Sequence, residues 1–148
     1  MTLIHGTAVC FGRAGLLLRG PSGSGKSDLA LRLIETGAAL VADDQVELTR
    51  AGDELRATAP LSIAGLIEAR GLGILRLPRV AETALRLVCD LVPRAQVERL
   101  PERRACTLLD VEVPLLALHA FDASTPAKLR WALTAMAGDE LAVETAEP

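Results

Sequence analysis

The sequence predicts an α/β fold: a mixed, strand-rich sheet with few helices. Three observations predict it. Short apolar runs bounded by Gly, Pro and Asp recur through the 148 residues, as strands in a layered domain do. Apolar residues at helical spacing stand out in only two places, after Lys26-Ser27 and after Thr125-Pro126. Between a strand-like run and the first of these helices lies Gly20-Pro21-Ser22-Gly23-Ser24-Gly25-Lys26-Ser27. This is the spacing GxxxxGK(S/T), which chance supplies about once in twenty thousand positions at average composition. Strand, glycine loop and helix in that order identify a phosphate-binding loop, and with it a P-loop nucleotide-binding core.

Each element follows in turn. Residues 3–11 are apolar enough for a strand, and Gly12-Arg13-Ala14-Gly15 turns the chain into a second strand, Gly15-Leu16-Leu17-Leu18-Arg19, which feeds the loop. Residues 28–35 form the first helix, with Leu29, Leu33 and Ile34 on one face, and Gly37 stops it. Residues 38–42 read as the next buried strand, ending in Asp43-Asp44. Val46 and Leu48, then Leu55 and Ala57, flank Ala51-Gly52-Asp53 as a hairpin. Strands are expected at 66–69 and 73–77, and the alternation of Leu85, Leu87, Cys89 and Leu91 adds a sheet segment. Pro126 opens the last helix in its first turn, where no N–H is needed. Leu129, Leu133 and Met136 carry its apolar stripe, and Trp131 beside it is expected to pack rather than to stack on a ligand. Residues 1–138 are expected to form one domain and 139–148 a frayed acidic tail.

Composition narrows the function classes. Nineteen acidic against sixteen basic side chains give a net charge of −3, which argues against a nucleic-acid partner bound by phosphate neutralisation. No apolar run approaches the ~20 residues of a membrane-spanning helix, and the N-terminus lacks a secretory pattern. Cys10, Cys89 and Cys106 are odd in number and sit in apolar stretches, so reduced buried thiols are expected. A cytoplasmic protein without a membrane partner is the reading. Arg94, Arg99, Arg103 and Arg104 form a local basic cluster, read as a solvated loop.

The loop carries its own chemistry. Gly20, Gly23 and Gly25 allow backbone N–H groups to converge on phosphate oxygens, and the helix dipole favours the same anion. Pro21, Ser22 and Ser24 complete the loop. Lys26 is a point charge for the β- and γ-phosphates, and the Ser27 hydroxyl is a hard oxygen ligand for Mg²⁺. A nucleoside triphosphate or a close relative, with Mg²⁺, is the expected ligand. Phosphoryl transfer also needs a group for the acceptor's proton. Asp43-Asp44 closes the strand after the loop helix, where a neighbouring parallel strand would bring it beside the phosphates, and adjacent residues face opposite ways. Glu68 and Arg70 share one strand face ahead of Gly71 and Gly73, a pairing that suits a metal ligand beside a phosphate clamp.

Four segments together resemble the bifunctional HPr kinase/phosphorylase family, in its C-terminal catalytic domain. They are Ile4-His5-Gly6, the loop 20–27, Val41-Ala42-Asp43-Asp44, and Ile67-Glu68-Ala69-Arg70-Gly71-Leu72-Gly73-Ile74. The resemblance covers residues 4–77 well and implies an ATP- and Mg²⁺-dependent kinase acting on a serine of the phosphocarrier protein HPr, in the service of phosphotransferase-system regulation. It implies that Lys26 holds the transferred phosphates, that Ser27 and Glu68 ligate Mg²⁺, and that Asp44 exchanges the serine proton. His5 and Arg70 would lie at the same site and Asp43 would support the metal shell. The start of the sequence near His5 is similar to the short, proteobacterial form without an N-terminal domain. The family's later P-V-x-x-G-R-N loop, tied to phosphorolysis, has no match, since Val111-Glu112-Val113-Pro114-Leu115-Leu116 lacks Gly-Arg-Asn. Kinase activity is therefore expected and phosphorylase activity is not. A homo-oligomer is compatible with the resemblance but does not carry over from it. A P-loop small-molecule kinase, with the Arg94–Arg104 region as a lid, and a non-catalytic nucleotide-binding regulatory module remain the alternatives.

Overall fold

The computed structural model describes residues 1–136, so the expected tail at 139–148 lies outside the described residues. The first apolar run breaks into two strands, β1 (Thr2–His5) and β2 (Thr7–Phe11). The break is Gly6, which is buried. A Cβ there would lie 2.8 Å from the Leu18 carbonyl oxygen, so only glycine lets the chain cross the neighbouring strand this closely. Strand β3 (Ala14–Arg19) leads into the loop, and helix α1 (Lys26–Glu35) leaves it. The next elements are β4 (Ala39–Ala42), the hairpin β5 (Gln45–Ala51) and β6 (Glu54–Thr58), the hairpin β7 (Leu66–Ala69) and β8 (Gly73–Arg76), and the long β9 (Glu82–Leu91). A last hairpin, β10 (Arg104–Leu108) and β11 (Val111–Leu118), precedes helix α2 (Thr125–Met136). The expectation of a strand-rich mixed sheet with few helices holds: two α-helices are present among the described residues.

The sheet order is β1-β5-β6-β9-β3-β2-β4, with β11 and then β10 joined to β9. Strand β9 pairs in parallel with β3 and with β11, so all three deliver their C-terminal ends to one edge. Strand β4 is not the parallel neighbour of β3 that the sequence suggested. Strand β2 lies between them, antiparallel to both. The Asp43-Asp44 end of β4 still reaches the edge where β3 ends, because two antiparallel steps restore the direction.

Two apolar layers explain the burial. Leu16 and Leu18 of β3, with Leu87, Cys89 and Leu91 of β9, face Leu29 and Leu33 of α1 and Leu129 and Leu133 of α2. Leu17 and Val88 point the other way, onto Val46, Leu48, Leu55 and Ala57 of the β5–β6 hairpin. The central strands are covered on both faces, which is why β3 reads as an unbroken apolar run. Truncating one of these fully buried leucines to alanine would cost about 2–5 kcal/mol.

Three expectations change. Trp131 is 61% exposed on α2 and does not pack into the core, because the buried stripe runs through Leu129, Ala132 and Leu133. The Arg94–Arg104 region is not a plain loop: Arg104 begins β10, while Arg94 starts a single 3₁₀ turn. Cys10 and Cys89 are buried and free as expected, and burial pushes the Cys89 thiol up to about 12, but Cys106 is only partly buried.

Candidate active site

The phosphate loop takes its shape from local constraints. The Ser24 N–H donates to the Pro21 carbonyl at 3.0 Å, and Gly25 holds φ 98° as the residue that caps α1. A side chain at Gly25 would be strained by that dihedral and would also meet Ala120 Cβ and Phe121 Cζ at 2.8 Å. Lys26, only 7% exposed, donates from Nζ to the carbonyls of Gly20 (2.6 Å) and Pro21 (3.1 Å). Burial lowers its pKa, while the charges of Asp43 and Asp44 pull it back up. An ammonium has three N–H donors, so one remains for a ligand. The positive ends of the loop and of α1 thus converge on one point.

Asp43 is the hub of the site. It is 6% exposed, and Oδ1 accepts from Thr7 Oγ at 2.7 Å and from Ser27 Oγ at 2.8 Å. Its Oδ2 accepts from the Glu68 backbone N–H at 3.2 Å. One carboxylate therefore ties together β2, the first turn of α1 and the β7 hairpin. The arrangement fixes the Ser27 hydroxyl as a donor toward Asp43, leaving its lone pairs free to meet a cation.

Asp44 is a different kind of acid. It is exposed, sits at φ 72°, and faces His5 Nδ1 at 3.6 Å. The left-handed backbone turns its carboxylate away from the path of Asp43, and Asp is among the few residues that adopt it cheaply. The backbone is pinned on both sides: the Gly6 N–H donates to the Asp44 carbonyl at 3.0 Å, and the Gln45 N–H to that of Asp43 at 2.9 Å.

These groups line one cleft of about 370 Å³, together with Ser22, Gly23, Gly25, Glu68 and Arg70. His5 comes from β1, Lys26 and Ser27 from α1, the two aspartates from the β4 end, and Glu68 and Arg70 from the β7 hairpin and its turn. Gly20, Pro21 and Ser24 shape the loop from behind and do not line the cleft. No residue of the 94–104 region lines it. Residues 111–116, the stretch compared with the phosphorolysis loop, lie within the paired strand β11 rather than in a loop.

Two residues here escaped the sequence reading. Thr7 is wholly buried and holds Asp43; the available signal was a hydroxyl opening the apolar run Thr7-Ala8-Val9-Cys10-Phe11, since a buried hydroxyl needs a partner. Phe121, from the loop after β11, lines the cleft beside Gly25. No local pattern marks it.

The donor set suits magnesium. Among the described residues no three His, Cys, Asp or Glu side chains cluster tightly enough to hold a metal by themselves. Mg²⁺ does not need such a cage, since it binds through one or two protein oxygens plus phosphates and water. A preset serine hydroxyl and the Glu68 carboxylate at the mouth of a phosphate loop fit that requirement.

Comparison with known proteins places the chain in a family. Residues 1–129 match the family described as the HPr serine kinase C-terminal domain. An HPr kinase/phosphorylase of Geobacillus thermodenitrificans is 38% identical over 129 residues, covering 79% of this chain and 42% of the relative. One from Stenotrophomonas maltophilia is 35% identical over 147 residues, covering 89% of this chain and 46% of the relative. The chain thus spans less than half the length of these relatives. The solved Hpr(Ser) kinase/phosphatase of Coxiella burnetii superimposes with a TM-score of 0.82 at 24% identity, covering 93% of this chain and 94% of that one, and shares the fold. With the phosphate loop, the aspartate pair and the Glu68–Arg70 hairpin assembled on one edge, the chain belongs to the HPr serine kinase C-terminal domain family.

Proposed function

We propose that residues 1–138 act as a cytoplasmic, Mg²⁺-dependent kinase that moves the γ-phosphoryl group of ATP to a serine hydroxyl of the phosphocarrier protein HPr. The observation that carries this reading is the division of labour between two adjacent acids. Asp43 is buried and spent on three donors, whereas Asp44 is exposed in the cleft, beside His5 and within the electrostatic reach of Lys26. A carboxylate that must collect a proton from an incoming protein has to be reachable, and Asp44 is.

In the proposed step the serine oxygen forms a bond to the γ-phosphorus, and the bond from that phosphorus to the β,γ-bridging oxygen breaks. The serine proton passes to Asp44 and ADP leaves. Lys26 and the loop N–H groups hold the phosphates in line, and most of the rate comes from this positioning and charge stabilisation. Ser27 and Glu68 would hold Mg²⁺, which neutralises charge on the phosphates. Asp43 keeps the Ser27 hydroxyl pointed. His5 sets the orientation of Asp44, and Arg70 at the hairpin turn clamps phosphate or the incoming serine segment. The stretch at 111–116 lacks Gly-Arg-Asn, which supports kinase activity without phosphorolysis.

Incubating the protein with ATP, Mg²⁺ and HPr and weighing HPr by mass spectrometry tests the reading. One added phosphate, located on a serine, is expected. Turnover of ATP with no modified HPr would refute the protein-kinase assignment, and ATP binding without turnover would leave only the regulatory module.

A further inference from the structure

The cleft has two chemically different ends, and strand order sets them apart. Strands β2 and β4 lie on one side of β3, and β9 and β11 on the other. The carboxylates of Asp43 and Asp44 follow β4, so the acidic end of the cleft is on the first side. Strands β3, β9 and β11 run parallel, so the loop that follows β11 arrives at the same edge but on the second side. That loop presents Phe121.

The Phe121 ring is fixed and open at once. Its Cζ and Cε1 lie where a Gly25 side chain would be, at 2.8 and 3.1 Å from the position of a Cβ. His119 meets the ring edge-on, with centroids 5.8 Å apart and planes at 70°. The loop backbone is held from several directions. Arg32 donates to the Ala120 carbonyl and Thr125 Oγ to that of His119 at 2.6 Å, while His119 Nδ1 lies 2.9 Å from the Val92 carbonyl. Asp122 next door pairs with Arg94 at 2.7 Å. Yet the ring remains 54% exposed and lines the cleft. The sequence holds only two Phe, one Trp and no Tyr, and this is the one such ring in the cleft.

We propose that Phe121 is the platform on which the nucleobase of the bound nucleotide stacks. The inference rests on the nucleotide-binding reading above and deepens it. With the γ-phosphate drawn toward Ser27, Glu68 and Asp44, the nucleoside must leave the loop in the opposite direction, past Gly25, and Phe121 is the apolar surface there. Every base has a π-face, so the platform contributes affinity without requiring one base.

The test compares a ligand that has a base with one that has none. Affinities for Mg-ATP and for Mg-tripolyphosphate are measured by calorimetry on the full chain, as wild type, Phe121→Leu and Phe121→Trp. Leucine keeps bulk against Gly25 and removes the aromatic face; tryptophan keeps the face. Phe121→Leu is expected to weaken ATP about tenfold or more, in line with the loss of one base–aromatic stack, and to leave tripolyphosphate within about twofold. Phe121→Trp is expected to hold ATP near the wild-type affinity. Equal losses for both ligands would mean that Phe121 only shapes the loop, and undiminished ATP affinity in Phe121→Leu would mean that the base lies elsewhere; either overturns the inference alone. A wild-type protein that binds neither ligand overturns the nucleotide reading and this inference together.

Discussion

Replacing Asp43 and Asp44 separately with asparagine should damage the protein in two different currencies, stability and turnover. Asp43→Asn leaves one acceptor oxygen where two were used. With the amide oxygen at the Oδ1 position, both hydroxyl bonds from Thr7 and Ser27 survive, but they are now neutral rather than charge-assisted. The amide nitrogen then faces the Glu68 N–H, donor against donor. Bonds to charged groups contribute about 1.5–3 kcal/mol and neutral ones about 0.5–1.5, and an orphaned N–H costs about 1–3. Removing the buried charge returns part of this through relieved desolvation. The net loss should be about 2–4 kcal/mol, which for a chain of this length lowers Tm by roughly 7–14 °C. The Mg²⁺ requirement should rise as well, since the Ser27 hydroxyl is held less firmly.

Asp44→Asn should do the reverse. The site is exposed, His5 Nδ1 lies 3.6 Å away, and asparagine accepts the φ of 72° as readily as aspartate. A surface change of this kind stays within about 0.5 kcal/mol. Without a carboxylate to take the serine proton, phosphorylation of HPr should fall about 10²–10⁴-fold, with ATP affinity little changed. Thermal melts followed by circular dichroism, beside mass-resolved HPr phosphorylation, read both quantities. The reasoning fails if Asp43→Asn melts with the wild type. It also fails if Asp44→Asn keeps wild-type turnover, or loses turnover only in proportion to lost fold.

Lys26→Ala should abolish phosphorylation with a modest change in Tm, because the two loop-carbonyl bonds it gives up face a ligand site; a variant with wild-type turnover would show the loop misassigned. Ser27→Ala and Glu68→Ala should each raise the Mg²⁺ concentration for half-maximal activity, by removing one hard oxygen; titration of activity against Mg²⁺ reads this, and an unchanged midpoint for Glu68→Ala would reduce it to a surface charge. Thr7→Val, nearly isosteric, should lower Tm by a few degrees and raise the Mg²⁺ midpoint through Asp43, while Thr7→Ser restores both; if serine fails to rescue, the threonine matters for packing and not for its hydroxyl.

Local chemistry was legible in the sequence and pairing was not. The loop at 20–27, the hairpin around Gly52 and the hairpin around Gly71 announce themselves through glycines at positive φ. The β10–β11 hairpin hides because its turn residues, Leu109 at φ 48° and Asp110 at φ 63°, occupy the left-handed positions that Asn-Gly usually fills. Leu115 to Leu118 of β11 are all partly buried, so no alternation marks them. Trp131 was misjudged because hydrophobicity predicts burial only in one direction: large apolar residues at a surface are ordinary. Thr7 and Phe121 enter the site through contacts 36 and 96 residues away in sequence, with Asp43 and Gly25, and a single sequence carries no record of such distances.

The placement of β2 between β3 and β4 is what makes Asp43 and Asp44 unequal. With β4 directly beside β3, both acids would stand at the loop, one strand spacing of about 4.8 Å away. The inserted strand moves them one spacing further. Thr7, the first residue of β2 after the Gly6 crossing, turns its hydroxyl to Asp43. From the other side Ser27 reaches the same oxygen. The first acid is thereby enclosed and committed to geometry, while the chain, released into the left-handed turn at Asp44, carries the second acid out into the open cleft, where the proposed protein substrate would approach. A strand order that no local pattern reveals thus sets the unequal placement of two identical neighbours, on which the proposed division of roles rests.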